Sequence, residues 1–112
     1  MDTLTLVRNY YDAWTAKEFE HAAALLADDL EVEVPINAYP TRESFAAAVE
    51  RFGSLARDVT LRSAMSAGYE AMLLYDMDIE GLGDFRVAEH FTVRDGRIVR
   101  IRQVHDTAAL RG

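Results

Sequence analysis

The sequence predicts an α+β fold in which three N-terminal helices pack on a curved, mostly antiparallel sheet. Two observations support this prediction. Up to about residue 53, apolar residues recur at the spacing of a helix face, interrupted by one short alternating segment. From Asp58 onward, apolar and polar residues alternate in long runs that glycine-containing turns separate. Helices laid across one face of such a sheet would leave that face apolar and concave.

The three predicted helices have apolar stripes and clear end signals. The first spans Thr3–Thr15, where apolar residues recur at three- and four-residue spacing. The second spans residues 18–27, and two aspartates, which favour turns over helices, follow it. The third begins after Thr41, a favourable N-cap, and stops at Gly53.

The predicted strands are one short early segment and four long later ones. The early strand covers residues 30–34, and Pro35 ends its hydrogen-bond ladder. The next strand starts after Asp58, and another covers residues 71–80. The last two strands form a hairpin over residues 85–106, which is the last predicted element of the chain.

The hairpin carries polar groups on an otherwise apolar face. On its first strand, Glu89 falls within the apolar alternation of residues 85–93. On its second strand, Gln103 and His105 share the face of Val99. A carboxyl group on a covered face loses hydration, so its pKa should rise toward neutrality. This face is therefore where the sequence points to chemistry.

The predicted hairpin connection is a three-residue loop over residues 94–96, with Gly96 in a bulge. This loop would place Glu89 opposite Ile101 and diagonal to Gln103, with His105 further along the sheet. A two-residue turn is rejected, because it would set the apolar residues of one strand against the arginines of the other.

Composition limits the classes of function. The 112 residues, 50% apolar and 28% charged, predict one globular domain. A net charge of −7 argues against a nucleic-acid partner, which requires a basic surface. The absence of a long apolar run and of a signal peptide predicts a cytoplasmic protein with no membrane partner. Without cysteine, metal-ligand spacing or a phosphate-binding loop, neither metal nor cofactor is expected.

Two stretches resemble the SnoaL-like branch of the nuclear transport factor 2-like (NTF2-like) superfamily. They are VRNYYDAWTAKEFEHAAALLADDLEVEVP near the start and AEHFTVRDGRIVRIRQV near the end. The likeness runs from about Leu4 to Asp106 and implies a cone-shaped α+β barrel. The family includes polyketide cyclases, ketosteroid isomerases, an epoxide hydrolase, dehydratases and non-catalytic binding proteins, so the fold leaves the function open.

The resemblance to ketosteroid isomerases carries over at two positions. Tyr10 matches the tyrosine of their oxyanion hole, and Glu89 matches its second carboxyl group, with glutamate in place of aspartate. The position of their general base is occupied by Val34, and the adjacent Glu33 should face the other way. Steroid isomerisation by the family mechanism is therefore not expected. The resemblance to the polyketide cyclases is looser: they use an acid on the pocket face near the end of the sheet, and Glu89 and His105 are the residues here that could serve as that acid.

The resulting hypothesis is a conical pocket that binds a small apolar or aromatic carbonyl compound. In a cofactor-free isomerase, cyclase or lyase, Glu89 would be the acid or base and His105 an auxiliary base. Tyr10 and Gln103 would donate hydrogen bonds. Five further side chains would shape the cavity: Trp14, Val34, Tyr75, Met77 and Phe91. The alternative is a non-catalytic ligand carrier or dimerisation module, which the valine at position 34 favours.

The opposite sheet face is predicted to expose His90 among several arginines. Three apolar residues would add to this outer face: Leu74, Ile98 and Val104. In proteins of this family such a face often forms a dimer, so a homodimer through it is expected. A solvated sheet face is the alternative.

Overall fold

Five strands and four helices make up the computed structural model, which describes residues 1–111. The helices are α1 (Thr3–Thr15), α2 (Phe19–Ala24), α3 (Arg42–Leu55) and the short C-terminal α4 (Ala108–Arg111). The strands are β1 (Leu26–Glu33), β2 (Ala56–Ala67), β3 (Glu70–Ile79), β4 (Gly83–Arg94) and β5 (Arg97–Val104). No helix in this range is long and apolar enough to cross a membrane.

The strands form one sheet in the order β1-β5-β4-β3-β2. All neighbouring pairs are antiparallel except β1 and β5, which are parallel. Helix α1 packs against β2 and β3, and α3 packs against β1, so the helices cover one face. The predicted α+β class and cone-like architecture are confirmed. The sheet is open rather than closed, with β1 and β2 at its edges.

The helix starts follow local sequence signals. The Asp2 carboxylate accepts a hydrogen bond from the Thr5 backbone amide at 2.8 Å, which caps α1. Thr41 and Ser44 form a reciprocal capping box at the start of α3. These caps satisfy backbone amides that have no partner within the helix, and they explain why α1 and α3 begin where the sequence predicts.

The predicted extent of the second helix is wrong at its C-terminal end. Helix α2 ends at Ala24, and the chain enters β1 at Leu26. Pairing with β5 draws this segment into the sheet, because the Ile98 amide donates to the Leu25 carbonyl at 2.9 Å. Arg42 fixes the same junction by donating to the carbonyl oxygens of Ala23 and Leu26. The two aspartates predicted as a turn lie in an irregular part of β1.

The hairpin between β4 and β5 uses the two-residue turn that the sequence argument rejected. Asp95 and Gly96 have φ angles of 52° and 74°, and Arg94 pairs with Arg97, as in a type I′ turn. The register then shifts, because Val93 pairs with Ile98 but Thr92 pairs with Arg100. This leaves an extra residue on β5, a β-bulge.

The bulge removes the objection to the short turn. Because it lies at Val99, the alternation on β5 reverses there, and Ile98 and Ile101 are both fully buried. Ile98 is therefore not part of the outer face, contrary to the prediction. The register also places Glu89 directly opposite Gln103 rather than opposite Ile101. The two polar residues are thus cross-strand neighbours on the concave face.

Candidate functional site

A buried carboxyl group held by two side chains lies on the concave face of the sheet. Glu89 is 2% exposed, and within residues 1–110 no other charged side chain is buried. The Tyr75 hydroxyl donates to Glu89 Oε1 at 2.9 Å. The Gln103 amide donates to Glu89 Oε2 at 2.8 Å. Three neighbouring strands therefore each supply one residue of this network.

Burial sets the protonation behaviour of the network. Loss of hydration raises the pKa of Glu89 from its ordinary value of 4.5 to about 7, although the bonds from Gln103 and Tyr75 act in the opposite direction. Burial, with the nearby Glu89 carboxyl, raises the pKa of Tyr75 well above its usual range. Near neutral pH, Glu89 is thus able to hold or release a proton while the tyrosine stays protonated.

Tyr10 lies close to this network but Tyr75 is the residue that binds the carboxyl. Tyr10 is buried, and its ring packs edge-on against Phe91 with 6.0 Å between centroids. Burial and the Glu89 carboxyl raise the pKa of Tyr10 well above its usual range. A hydrogen-bonding role of Tyr10 toward a ligand remains a prediction.

A cavity of about 110 Å³ lies beside the network. Five of the residues predicted for the site line it: Val34, Tyr75, Met77, Gln103 and His105. Its other walls come from the segment after β1, from α3, from the β3–β4 hairpin and from α4: Pro35, Ile36, Asn37, Tyr39, Phe52, Ile79, Leu82, Phe85, Val87 and Leu110. Within residues 1–111 this lining contains no carboxylate, lysine or arginine side chain.

A second, smaller cavity of about 60 Å³ lies between α1, α3 and β3. Tyr10 and Trp14 from α1 line it, together with Met77, which also lines the larger cavity. Glu89 and Phe91 line neither cavity, so Glu89 lies behind the larger one and reaches it through Tyr75 and Gln103.

His105 lies on the wall of the larger cavity, just after β5. Its ring packs edge-on against Phe85, with 5.9 Å between centroids. Its Nδ1 lies 3.0 Å from the backbone oxygen of Asp106. Because a carbonyl oxygen only accepts, Nδ1 is the donor in this bond, and in the neutral tautomer that donates from Nδ1 the other ring nitrogen, Nε2, is an acceptor.

The site contains residues that sequence reasoning did not assign to it. Phe52 had a signal, because it lies on the apolar stripe of α3, although nothing indicated that it would border a cavity. Leu110 had no signal, because it follows the predicted sheet, yet it packs on the core from α4. Tyr39 lies in a segment predicted to be irregular and packs edge-on against Phe45 at 5.7 Å. No group of three or more potential ligands is placed for a metal ion in the described part of the chain.

The outer sheet face combines ion pairs with exposed apolar side chains. Asp76 accepts hydrogen bonds from Arg86 and Arg62, which hold its pKa well below the usual range. Met72 and Val104 are exposed, at 45% and 70%, and so are Met65 and Tyr69 near the β2–β3 turn. The predicted homodimer through this face stays a prediction.

Comparison with known proteins identifies the family. A family model described as the SnoaL-like domain matches residues 7–101. The chain belongs to the SnoaL-like domain family. The resemblance predicted from the two sequence stretches is therefore confirmed, and the match covers every strand up to Ile101 on β5. No protein with curated annotation matches this SnoaL-like chain.

Solved structures with the same fold span different descriptions. A protein from Kribbella flavida DSM 17836 is 28% identical, with a TM-score of 0.90 over 97% of this chain and 90% of that chain. An NTF2-like protein from Cytophaga hutchinsonii ATCC 33406 is 17% identical, with a TM-score of 0.88 over 100% and 96% of the two chains. An LEH-like epoxide hydrolase from M. tuberculosis is 23% identical, with a TM-score of 0.77 over 98% and 90%. The last two show the fold alone, so the reaction must be argued from the site.

Proposed function

We propose that this SnoaL-like domain binds a small, neutral, apolar carbonyl compound and promotes proton transfer next to its carbonyl group. The observation that carries the proposal is the Tyr75–Glu89–Gln103 network at the wall of an otherwise apolar cavity. A buried acid with a pKa of about 7 beside a cavity is the arrangement that general acid–base sites use.

The lining selects the charge and size of the ligand. Without a charged side chain on the wall to pair with, a charged ligand would lose hydration without compensation. At about 110 Å³ the cavity is smaller than the roughly 300–1,000 Å³ typical of drug-sized ligands. An apolar cavity of roughly 150 Å³ in another protein holds benzene, so a single small ring matches this volume.

The protonation state of Glu89 would set what the cavity offers to a ligand. When Glu89 is ionised, it accepts the hydrogen bond that the Tyr75 hydroxyl donates to Oε1 at 2.9 Å, so the Tyr75 hydrogen is not free for a ligand. When Glu89 is protonated, it can donate to the Tyr75 oxygen, which frees the Tyr75 hydrogen to bind a carbonyl oxygen. Affinity for a carbonyl ligand should therefore be highest below pH 7 and fall as the pH rises through the pKa of Glu89.

His105 is the proposed base for the chemical step. Its Nε2 would take a proton from the carbon next to the carbonyl, while the Tyr75 hydroxyl donates a hydrogen bond to the developing oxygen charge, which gives an enolate beside a protonated His105. Return of the proton to a different carbon would complete an isomerisation with no change in composition. In the second candidate function, a non-catalytic carrier, the ligand binds but loses no proton. The valine at position 34 favours this second candidate.

Two isosteric probes separate carbonyl recognition from plain apolar binding. Cyclohexanone and methylenecyclohexane differ in whether they offer an oxygen acceptor, and both fit the size argument. Binding is measured by shifts of the Gln103 side-chain amide in NMR spectra between pH 5 and pH 9. We expect cyclohexanone to bind more tightly, with an affinity that falls above pH 7, and the hydrocarbon to show no pH dependence. Equal binding of the two probes, or binding of neither, would contradict the proposal.

Turnover distinguishes the two candidate functions. The substrate is a β,γ-unsaturated cyclohexenone, whose conversion to the conjugated isomer is followed by ultraviolet absorbance. We expect His105→Gln to lose the activity and keep cyclohexanone binding, whereas His21→Gln, at an exposed helix position, should change neither. Binding without turnover by the wild-type protein would favour the carrier. Undiminished turnover by His105→Gln would remove His105 as the base.

A further inference from the structure

The two cavities on the concave face share a wall. Met77 on β3 and Phe52 on α3 line both the larger cavity and the smaller one. On the far side of these two side chains, the smaller cavity is bordered by Tyr10, Trp14 and Val49. Its lining among the described residues has no charged side chain, so it matches the apolar character of its neighbour.

The two side chains of the shared wall differ in freedom. The Phe52 ring is covered on one face by the Arg51 guanidinium, whose central carbon lies 4.9 Å from the ring centroid. Met77 has an unbranched side chain with three rotatable bonds and is only partly buried. Rotation of Met77 therefore changes the wall more readily than movement of the phenylalanine.

We propose that the two cavities are compartments of one ligand site and that Met77 determines whether a ligand reaches the second compartment. This inference rests on the proposed carbonyl-binding function. The ligand class is an elongated, neutral, apolar carbonyl compound. Its oxygen binds at Tyr75 and Gln103, and its tail lies between Tyr10 and Trp14. With Met77 in place, a ligand occupies the larger compartment only, which holds a single ring. With Met77 displaced, the tail of the ligand enters the smaller compartment, which holds a second ring.

The chain provides an internal reporter for the second compartment. Trp14 is its single tryptophan and lines the smaller cavity but not the larger one. A bromine atom quenches tryptophan fluorescence when it contacts the indole ring. The probes are para-bromoacetophenone and its biphenyl analogue, in which the acetyl group and the bromine lie at opposite ends. The longer probe carries its bromine to Trp14 only if the tail enters the second compartment.

Substitutions at Met77 open or block the passage. Met77→Ala should raise the affinity for the longer probe about tenfold, with saturable quenching of Trp14, because a second ring becomes buried. The same change should raise affinity for the longer probe more than for the shorter one, because Met77 lines both cavities but only the longer probe reaches the second. Met77→Phe should lower the affinity for the longer probe and abolish the quenching of Trp14 fluorescence by it. This variant also keeps the test valid if the alanine variant folds poorly. Met72→Ala, on the same strand but the outer face, is the matched control and should leave both probes unchanged.

The outcomes separate this inference from the function on which it rests. If the shorter probe shifts the Gln103 amide but neither Met77 variant changes the affinity or quenching of the longer one, the proposed function stands and the compartment inference is wrong. If neither probe binds to the wild-type protein or to any variant, both are wrong. Equal quenching of Trp14 by the longer probe in Met77→Ala and Met77→Phe would also overturn the role of Met77.

Discussion

Glu89→Gln replaces a buried ionisable carboxyl with a neutral side chain of nearly the same size. In the folded protein the pKa of Glu89 is about 7, whereas its ordinary value is 4.5. A raised folded-state pKa means that folding favours the protonated form, so ionisation of Glu89 destabilises the fold. Its contribution to the free energy of unfolding is fully present below pH 4.5 and is lost as the pH rises through about 7.

The size of this effect follows from the two pKa values. The difference between 4.5 and about 7, at about 1.4 kcal/mol per pH unit, corresponds to about 3 kcal/mol. Between pH 4.5 and pH 7 the free energy of unfolding of the wild-type protein should therefore fall by about 3 kcal/mol relative to that of Glu89→Gln. Above pH 7 the difference between the two proteins should stay constant. The amide of the variant can still bond to Tyr75 and Gln103 after rotation, so its own cost should be small.

Urea unfolding at several pH values between 4 and 9 measures this difference. Subtracting the wild-type curve from that of the variant removes the contributions of all other titrating groups. Glu80→Gln, at an exposed position after β3, is the control and should give a curve parallel to wild type. Parallel curves for Glu89→Gln and wild type would refute the argument, because they would show that Glu89 has the same pKa in the folded and unfolded states.

Three further predictions concern the network, the hairpin and the outer face. Tyr75→Phe should raise the pKa of Glu89 above about 7, because the Tyr75 hydrogen bond stabilises the ionised carboxyl and the variant removes it. The pKa is measured by carbon-detected NMR titration, and an unchanged midpoint would contradict this prediction. Gly96→Ala should destabilise the protein by about 1 kcal/mol, because φ is 74° there, as measured by urea unfolding; no loss would contradict the turn geometry. Met72→Glu should convert a homodimer to a monomer in sedimentation experiments, whereas a monomeric wild-type protein would rule out the predicted interface.

Local signals predicted the parts of the fold that depend on neighbouring residues. The caps at Asp2 and Thr41 satisfy amides within the same turn, and α1 spans the predicted residues. The burial of Glu89 was also predictable, because Val87 and Phe91 flank it on an alternating strand. The cap and the alternation each act within a few residues, so they can be read without knowledge of the sheet order.

Features that depend on distant pairing could not be predicted. Leu26 and Ala27 continue the helical pattern of the second helix, but they form the start of β1 because the parallel partner β5 binds this segment. The bulge at Val99 reconciles a two-residue turn with a buried Ile98, and a bulge position is set by the packing of both strands rather than by a local signal. The direct bond between Glu89 and Gln103 follows from that register.

The most direct test is an NMR titration of the Glu89 side-chain carboxyl, with and without cyclohexanone. We expect a midpoint near pH 7 in the free protein, because burial disfavours the ionised form. We expect a higher midpoint with cyclohexanone bound, because the ligand accepts the Tyr75 hydrogen bond that stabilises the ionised carboxyl. A midpoint near 4.5 would contradict the buried acid, and a midpoint that the ligand leaves unchanged would contradict its link to carbonyl binding.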